Sequence, residues 1–392
     1  MILNPDPTRP THPASEQTLH FDLHAHERPR LLRAAEAVSR KAPLTIVSVR
    51  NPRSAGGAHD FSSEADYWWP DPDNPGGPYR QRDGLSNPDN FTAHRALLLD
   101  FSENVGVLAA AALVCREPEQ RWRYADAALA HLYAWFVQPA TRMNPSLLYS
   151  QAIGGVCTGR AIGVIDTLHL AEVAVAVRRL DEAGLIHADA LAPLHEWFAT
   201  YLDWLCTHPY GVEERDWHNN HGTCWALQAA AFARLTGNAE VIADCRRRLF
   251  EVLLPDQMAA DGSFPQELSR TKPYGYSIFN LDVMCALAVL LTEPGEDPLR
   301  HALQDGRSLL RGVGFLAPYL ADKSAWPFAR DVMYWPEWPV RQPALLFGAL
   351  SAGREDWLQV WRCLDPAPAV MEVRRNFPVR QPVLWLPGSG AF

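Results

Sequence analysis

From about residue 92 onward, apolar residues recur along the chain at the three- and four-residue intervals typical of one face of an α-helix. The breaks between these periodic stretches carry Pro or Gly, as at Gly237-Asn238 and Pro294-Gly295. No series of β-hairpins and no βαβ unit with a glycine-rich turn is visible. The pattern predicts a mostly α-helical fold, with helices over residues 22–40, 92–115, 119–137, 159–180, 189–206, 220–236, 239–259, 277–292, 296–311 and 341–363.

Residues 59–91 form a long segment without helical periodicity, rich in Pro, Gly and Asp. A loop of this length in a compact domain is usually functional or disordered. The aromatic residues Tyr67, Trp68 and Trp69 argue against disorder. Two interpretations stay open: a lid or cleft wall across one end of the helical assembly, or a packed strap that only seals the core. We expect the whole chain, 1–392, to form a single domain, with residues 1–20 flexible.

The composition is that of an ordinary soluble globular protein, at 47% hydrophobic and 21% charged residues. The net charge of -9 argues against nucleic acid as a partner. No apolar run reaches the ~18 residues of a membrane span, so we expect no membrane association. The first residues lack the basic and apolar regions of a Sec signal peptide, so a cytoplasmic location is expected. The seven Cys are scattered without metal-ligand spacing, and no metal or other cofactor is expected.

Two imidazoles and two amides stand together at the start of a predicted helix, in the run His218-Asn219-Asn220-His221. A core helix does not need this cluster, because polar atoms cost free energy when they are buried without partners. Either Asn219 or Asn220 alone would satisfy the helix N-terminus as an N-cap. The surplus of polar groups favours a functional site that contains Asn219, Asn220 and His221.

Two further clusters carry polar and aromatic side chains next to predicted helices. The first follows the turn signal Asp261-Gly262-Ser263, and a solvated loop has little reason to carry its aromatic residues. The second follows Asn144-Pro145; its Gln151 and Arg160 suit carboxylate or hydroxyl groups of a sugar, although Arg160 could equally cap a loop. These clusters, with a third helix start near residue 335, add the candidates Glu267, Arg270, Lys272, Tyr274, Tyr276, Tyr149, Gln151, Arg160, Trp335 and Arg341.

Several of these segments, taken in order, resemble the alginate lyase superfamily of polysaccharide lyases. The resemblance is closer to the branch of polymannuronate and glucuronan lyases, family 38, than to the family 5 alginate lyases. It covers about residues 30 to 345. The segments that carry it include Asn219-Asn220-His221-Gly222-Thr223, Gln266-Glu267-Leu268-Ser269-Arg270, Tyr276-Ser277-Ile278-Phe279-Asn280-Leu281, Tyr67-Trp68-Trp69-Pro70-Asp71-Pro72 and Tyr334-Trp335-Pro336-Glu337-Trp338-Pro339.

The resemblance implies an α/α toroid of six or seven helical hairpins, preceded by a long Trp/Pro-rich loop. It also implies an enzyme that cleaves β-1,4-linked mannuronate or glucuronate by β-elimination and leaves an unsaturated non-reducing end. The partner would be an anionic uronate oligo- or polysaccharide. The same resemblance makes substrate-binding candidates of Asn219, Gln151, Arg160, Tyr149, Trp68, Trp69, Glu267, Lys272, Tyr274, Trp335 and Arg341.

The residues that match the catalytic set of family 5 are Asn220, His221, Arg270 and Tyr276. In this scheme Asn220 and His221 bind the substrate carboxylate, and Arg270 adds positive charge. Tyr276 is then the base and the acid. The spacing from arginine to tyrosine is one residue shorter here than in family 5, and Tyr274 lies close by, so both tyrosines stay candidates. Tyr276 is favoured because the residues after it continue the family-like run.

Two other functions remain open at this stage. A toroidal glycoside hydrolase that acts on unsaturated uronides needs a pair of carboxylates as acid and base, and Asp216, Glu267 and Asp282 are available. A non-catalytic glycan-binding protein would use the abundant Trp residues and lack a competent base. The ultraviolet absorbance of an unsaturated product distinguishes a lyase from both alternatives.

Overall fold

The computed structural model describes residues 19–386, so the flexibility predicted for residues 1–20 falls almost entirely outside the described residues. Within the described residues lie four short strands: β1 Ser62–Glu64, β2 Trp68–Trp69, β3 Arg80–Gln81 and β4 Tyr149–Ala152. The α-helices are α1 Leu23–Val38, α2 Ala93–Val114, α3 Pro118–Phe136, α4 Leu170–Glu182, α5 Ala188–Thr207, α6 Pro209–Arg215, α7 Asn220–Thr236, α8 Ala239–Arg248, α9 Leu254–Gln257, α10 Pro265–Leu268, α11 Pro273–Leu290, α12 Leu309–Ala321, α13 Pro343–Ala352, α14 Glu355–Cys363, α15 Met371–Arg375 and α16 Pro382–Trp385.

Two layers of helices form a toroid, as the resemblance implied. Helices α2, α4, α7, α11 and α13 pack side by side in this order as the inner layer, and α1, α3, α5, α8, α12 and α14 pack outside them. Inner helices are buried on nearly every face, which requires sequences that are apolar all round. Helices α2 and α11 are long and apolar enough to cross a membrane by length and composition, but most of each lies inside this fold.

The first and last helical hairpins meet near Arg341. Its guanidinium donates to Glu27 of α1 at 2.9 Å and lies 4.5 Å from the ring centroid of Trp361 in α14. Phe21 packs edge-on against the same indole. The contacts of Arg341 therefore join the two ends of the toroid, and the structure places this predicted substrate-binding residue away from the site described below.

The C-terminal segment folds back onto the inner helices. Its short helix α16 packs against α2 and α4, and the buried Glu172 of α4 accepts hydrogen bonds from the backbone nitrogens of Arg380 and Gln381 and from the Trp385 indole. Because three donors converge on one buried carboxylate, this segment is fixed in position. The preceding helix α15 is thereby held at the end of the toroid.

Several predicted helices differ from the observed ones at Gly, Pro or capping residues. The prediction over 296–311 is wrong: this stretch is turn and coil, and α12 starts only at Leu309, where the Ser308 side chain caps it. The prediction over 341–363 divides at Gly353, whose φ of 67° ends α13. The prediction over 277–292 starts too late, because α11 already begins at Pro273.

Residues 59–91 are folded against the toroid. Strand β1 pairs in parallel with β4, and β2 pairs with β3 in antiparallel fashion. Asp66, between β1 and β2, accepts hydrogen bonds from Arg95 of α2 and Arg375 of α15. These two cations hold the pKa of Asp66 well below its usual range, against the effect of burial. The segment is thus anchored by charge as well as by strand pairing, and its aromatic residues are carried over the end of the inner helices.

Candidate active site

One cavity at this end of the toroid gathers polar side chains from five parts of the chain. It brings together all four predicted catalytic residues and the predicted substrate-binding residues Gln151, Arg160 and Trp68. The wall also contains residues that the sequence analysis did not select. The lining side chains are Asp66, Tyr67, Trp68, Gln81, Asp83, Gln151, Arg160, Ile162, Ile165, Asn220, His221, Arg270, Tyr276, Phe279, Arg375 and Asn376.

The two adjacent asparagines at the start of α7 have different roles. Asn219 is the N-cap, because its side-chain oxygen accepts from the backbone N–H of His221 at 3.1 Å. Asn220 lies inside the first turn, and its Nδ2 is 2.9 Å from each carboxylate oxygen of Glu267. Its backbone N–H donates to the same carboxylate at 3.0 Å. Glu267 is almost wholly buried behind Asn220, so it fixes the Asn220 amide and does not line the cavity.

The imidazole of His221 is held from behind by Glu214. The Nδ1 atom is 2.7 Å from a carboxylate oxygen of Glu214, which is fully buried in α6. Burial raises the pKa of Glu214, and the neighbouring His221 and Arg160 act in the opposite direction. With Glu214 ionised, Nδ1 carries the hydrogen and Nε2 is left for the cavity.

Tyr276 is the one residue of α11 that is partly rather than fully buried. Its hydroxyl oxygen lies 2.8 Å from that of Tyr67, and the guanidinium of Arg270 lies 4.8 Å from its ring centroid. Arg270 is itself paired with Asp83 at 2.9 Å. Burial raises the pKa of Tyr276 well above its usual value, while the cation of Arg270 lowers it. The site therefore combines a desolvated phenol with a cation that favours its ionised form.

Gln151 and Arg160 form a second polar wall. Gln151 has a φ of 51°, a left-handed conformation that is strained for a residue other than Gly. Arg160 donates to the backbone and side-chain oxygens of Gln151, at 3.1 and 3.0 Å, and lies over the Trp68 ring. Within residues 19–386, no carboxylate lies within ion-pair distance of Arg160. Burial lowers the pKa of Arg160, and its guanidinium can bind an anionic ligand without first breaking an ion pair.

The remaining predicted residues do not line this cavity. Tyr274 and Tyr276 are two positions apart on α11, which turns them about 200° from each other. The Tyr274 hydroxyl donates to the carbonyl of Tyr319 at 2.9 Å, and its ring packs against Trp335. The Trp69 indole donates to the Leu85 carbonyl. Asn219, Tyr149, Trp335 and Lys272 are also absent from the cavity lining among the described residues.

Six polar lining residues escaped the sequence analysis as site residues. Tyr67 lies in one of the segments given above for the family resemblance, and Asp83 lies in a further such segment, Arg82-Asp83-Gly84. The resemblance therefore marked both positions but assigned neither a role. Arg375 and Asn376 follow no motif, and they reach the cavity only because the C-terminal segment folds back across the toroid. The other two are Asp66 and Gln81.

The fold and the cavity together define the class of this protein, an α/α toroid with a polar cavity lined by arginine, histidine and tyrosine side chains at one end. The family model described as Alginate lyase matches residues 46–326, so the chain belongs to the alginate lyase family and is a polysaccharide lyase. No curated protein matches the chain.

Solved structures agree with this assignment. An alginate lyase from Bacteroides ovatus is 30% identical, with a TM-score of 0.76, and the match covers 93% of this chain and 94% of that one. Alginate lyase A1-III from Sphingomonas species A1 is 15% identical, with a TM-score of 0.52 over 88% of this chain and 92% of that one. A variant of A1-III complexed with a tetrasaccharide is 13% identical, with a TM-score of 0.56 over 95% and 98% of the two chains. The two A1-III structures show the shared fold.

Proposed function

We propose that this enzyme cleaves β-1,4-linked mannuronate or glucuronate by β-elimination, with Tyr276 as both base and acid. The observation that carries this proposal is the position of Tyr276, which lines a cavity together with His221, Arg270 and Arg160. The family is named for alginate, a uronate polymer, and its member A1-III forms a complex with a tetrasaccharide. The cations of the cavity are suited to such an anionic chain even though the whole protein carries a net charge of -9.

β-Elimination makes three demands on the site. The carboxylate at C5 of the sugar must be stabilised as the C5 proton leaves, a base must reach that proton, and an acid must protonate the departing O4. We assign the carboxylate to His221 and Asn220, at the N-terminus of α7, where the helix dipole favours negative charge. Arg270 adds positive charge beside the developing enolate-like state.

A single tyrosine can meet the other two demands. In mannuronate and glucuronate the C5 proton and O4 lie on the same side of the sugar ring. The phenolate of Tyr276 takes the C5 proton, the electron pair of the C5–H bond forms the C4–C5 double bond, and the C4–O4 bond breaks. The phenol then returns the proton to O4, and the phenolate is regenerated.

Arg160 provides a second place for substrate charge. Because its guanidinium has no carboxylate partner within residues 19–386, it is available to a carboxylate of the uronate chain. Trp68, which the guanidinium overlies, adds a flat apolar surface of the kind that binds a sugar face. This arrangement explains how an acidic protein holds an acidic polymer.

Neither the carboxylates that line the cavity nor those considered from the sequence are free to act as the pair that a hydrolase requires. Asp66 and Asp83, which line the cavity, are each engaged by arginine side chains. Of the three carboxylates considered from the sequence, Asp216 pairs with Arg215 and Arg248, Glu267 holds Asn220, and Asp282 is buried against the N–H of Ala344. These engagements favour elimination over hydrolysis.

The proposal is tested by assaying the purified enzyme on polymannuronate, polyguluronate and glucuronan. The ultraviolet absorbance of the unsaturated product measures the reaction. We expect activity on polymannuronate or glucuronan and little on polyguluronate, whose C5 proton and O4 lie on opposite sides of the ring. Tyr276→Phe should lower kcat by at least about 10²-fold, the usual contribution of general acid–base catalysis. Tyr274→Phe is the matched control, which loses a buried hydrogen bond of about 1 kcal/mol and keeps its turnover. A Tyr276→Phe enzyme with near-normal turnover would overturn the assignment.

A further inference from the structure

The ammonium group of Lys272 is buried just before α11 and is fully engaged. Its Nζ donates to the Glu372 carboxylate at 2.7 Å and to the Tyr67 hydroxyl at 3.2 Å. It also lies 5.1 and 4.9 Å from the ring centroids of Tyr67 and Tyr334. A buried ammonium requires such partners, because an unpaired charge is costly in the interior. Glu372 belongs to α15, outside the residues that match the family model.

When Tyr276 is ionised, the hydrogen-bond donors in this cluster can have only one order. An ammonium group has donors and no acceptor, so the Tyr67 oxygen accepts from Lys272. The phenolate oxygen of Tyr276 has no hydrogen, so the hydroxyl of Tyr67 donates to it across 2.8 Å. A continuous chain of donors then runs from Lys272 through Tyr67 to the Tyr276 oxygen.

We propose that Lys272 is a positioning residue of the elimination: held by Glu372, it acts through Tyr67 to stabilise the phenolate of Tyr276. This inference rests on the proposed function, in which Tyr276 takes the C5 proton. A donor that is itself polarised by a cation makes a stronger hydrogen bond to an oxyanion than a neutral phenol alone. The chain thus opposes the burial that raises the pKa of Tyr276.

Other charged groups around the tyrosine pair act in both directions. Arg270 lowers the pKa of Tyr276, whereas Glu372 and Asp83 raise it, and Arg375 lowers that of Tyr67. His221 lines the same cavity from α7. Arg270 acts across the face of the Tyr276 ring, whereas Lys272 is linked to its oxygen by hydrogen bonds. Removal of Lys272 takes one of two cations from Glu372, which keeps Arg375 at 3.3 Å. The loss of this positive charge near the tyrosine pair disfavours the phenolate.

The proton balance of the reaction is unchanged by this chain. Tyr276 takes one proton from C5 and returns it to O4, while Tyr67 and Lys272 keep theirs. Their contribution is to set the fraction of Tyr276 that is ionised when the substrate binds. That fraction governs how kcat/KM depends on pH, which a merely structural lysine would not affect.

The test is the pH profile of kcat/KM on the best uronate polymer. The wild-type rate should rise through a kinetic pKa as Tyr276 ionises. Lys272→Met should raise this kinetic pKa by about one unit or more. At each pH below the kinetic pKa, kcat/KM should then fall by about tenfold relative to the wild type, and it should recover at higher pH. Tyr67→Phe should raise it as well, and the double variant should shift no further than Tyr67→Phe alone. Lys272→Arg should show only part of this shift, because it keeps the positive charge. Lys323→Met is the control: it removes an ammonium that donates to the carbonyls of Trp335 and Trp338, and it should leave the kinetic pKa unchanged.

Three results would overturn the inference. One is a Lys272→Met enzyme that is slower by the same factor at every pH, which indicates a structural role. The second is a double variant whose shift is the sum of the two single shifts, because Lys272 would then act without Tyr67. The third is a Tyr67→Phe enzyme whose kinetic pKa is unchanged. This result decides the question even if Lys272→Met does not fold, because Tyr67→Phe keeps the Lys272–Glu372 pair. An active Tyr276→Phe enzyme is a separate result, which overturns the assigned base itself.

Discussion

Replacement of Asn220 by Asp changes one hydrogen-bonded pair into two facing carboxylates. The Asn220 nitrogen lies 2.9 Å from both oxygens of Glu267, and both side chains are almost fully buried. Two unit charges at this separation repel by about 6 kcal/mol at an effective dielectric constant of about 20. The pair can avoid this repulsion by binding one proton, as closely spaced carboxylates do.

Proton uptake sets the size of the effect. Keeping one proton on a carboxyl group of ordinary pKa near 4.3 costs about 1.4 kcal/mol for each pH unit above that value. We therefore expect Asn220→Asp to lose about 4 kcal/mol of unfolding free energy at pH 7 and about 1 kcal/mol at pH 5. The sign follows because the pair has a higher pKa when folded than when unfolded. The folded state of this variant therefore gains stability as the pH falls, relative to the wild type.

Chemical denaturation of the variant and the wild type at pH 5 and pH 7 measures this difference. Asn219→Asp is the matched control, because Asp caps a helix as well as Asn, and its stability should show no added pH dependence. Turnover by Asn220→Asp should fall by at least about tenfold at neutral pH, since its added acid faces the substrate carboxylate. An Asn220→Asp protein whose loss of stability is the same at both pH values would refute the pairing with Glu267.

Three further outcomes are expected. Glu214→Gln should lower kcat/KM by at least about tenfold, because the amide can impose the other tautomer on His221, and a full-rate variant would show that the pairing is not used. Arg160→Met should raise KM by about tenfold or more with a smaller change in kcat, the signature of lost substrate binding, and an unchanged KM would remove Arg160 from the substrate path. Activity should survive prolonged dialysis against EDTA, and a loss that Ca²⁺ restores would contradict the assignment of the carboxylate to protein side chains.

The periodicity of apolar residues was a good guide to the inner helices. The prediction over 220–236 matches α7 at both ends, because polar caps precede it and Gly237 ends it. The start of α11 was missed by four residues, and this error had a functional consequence. With a helix from 277, Tyr274 and Tyr276 both fall in a loop, and helix geometry cannot distinguish them; only the resemblance favoured Tyr276. With a helix from Pro273, they lie on opposite faces, and only Tyr276 reaches the cavity.

What the sequence could not show is which charges are already paired. Arg270 and Arg160 look alike as isolated cations, yet one is engaged by Asp83 and the other has no carboxylate partner within residues 19–386. Likewise, Glu267 precedes Arg270 by three residues in the chain, but its carboxylate accepts hydrogen bonds from Asn220. Such pairings join residues far apart in sequence, and no local pattern encodes them.

The position of α15 makes catalysis depend on residues beyond the family match. Every residue matched by the family model is translated before Arg375 and Asn376, which line the cavity, and before Glu372, which anchors Lys272. We expect a nascent chain that ends at residue 360 to form most of the helices of the toroid while its site stays unfinished. A fragment trimmed to the family boundaries would therefore be a poor choice for expression, and in coupled translation lyase activity should appear only after α15 has been synthesised and has folded onto the toroid.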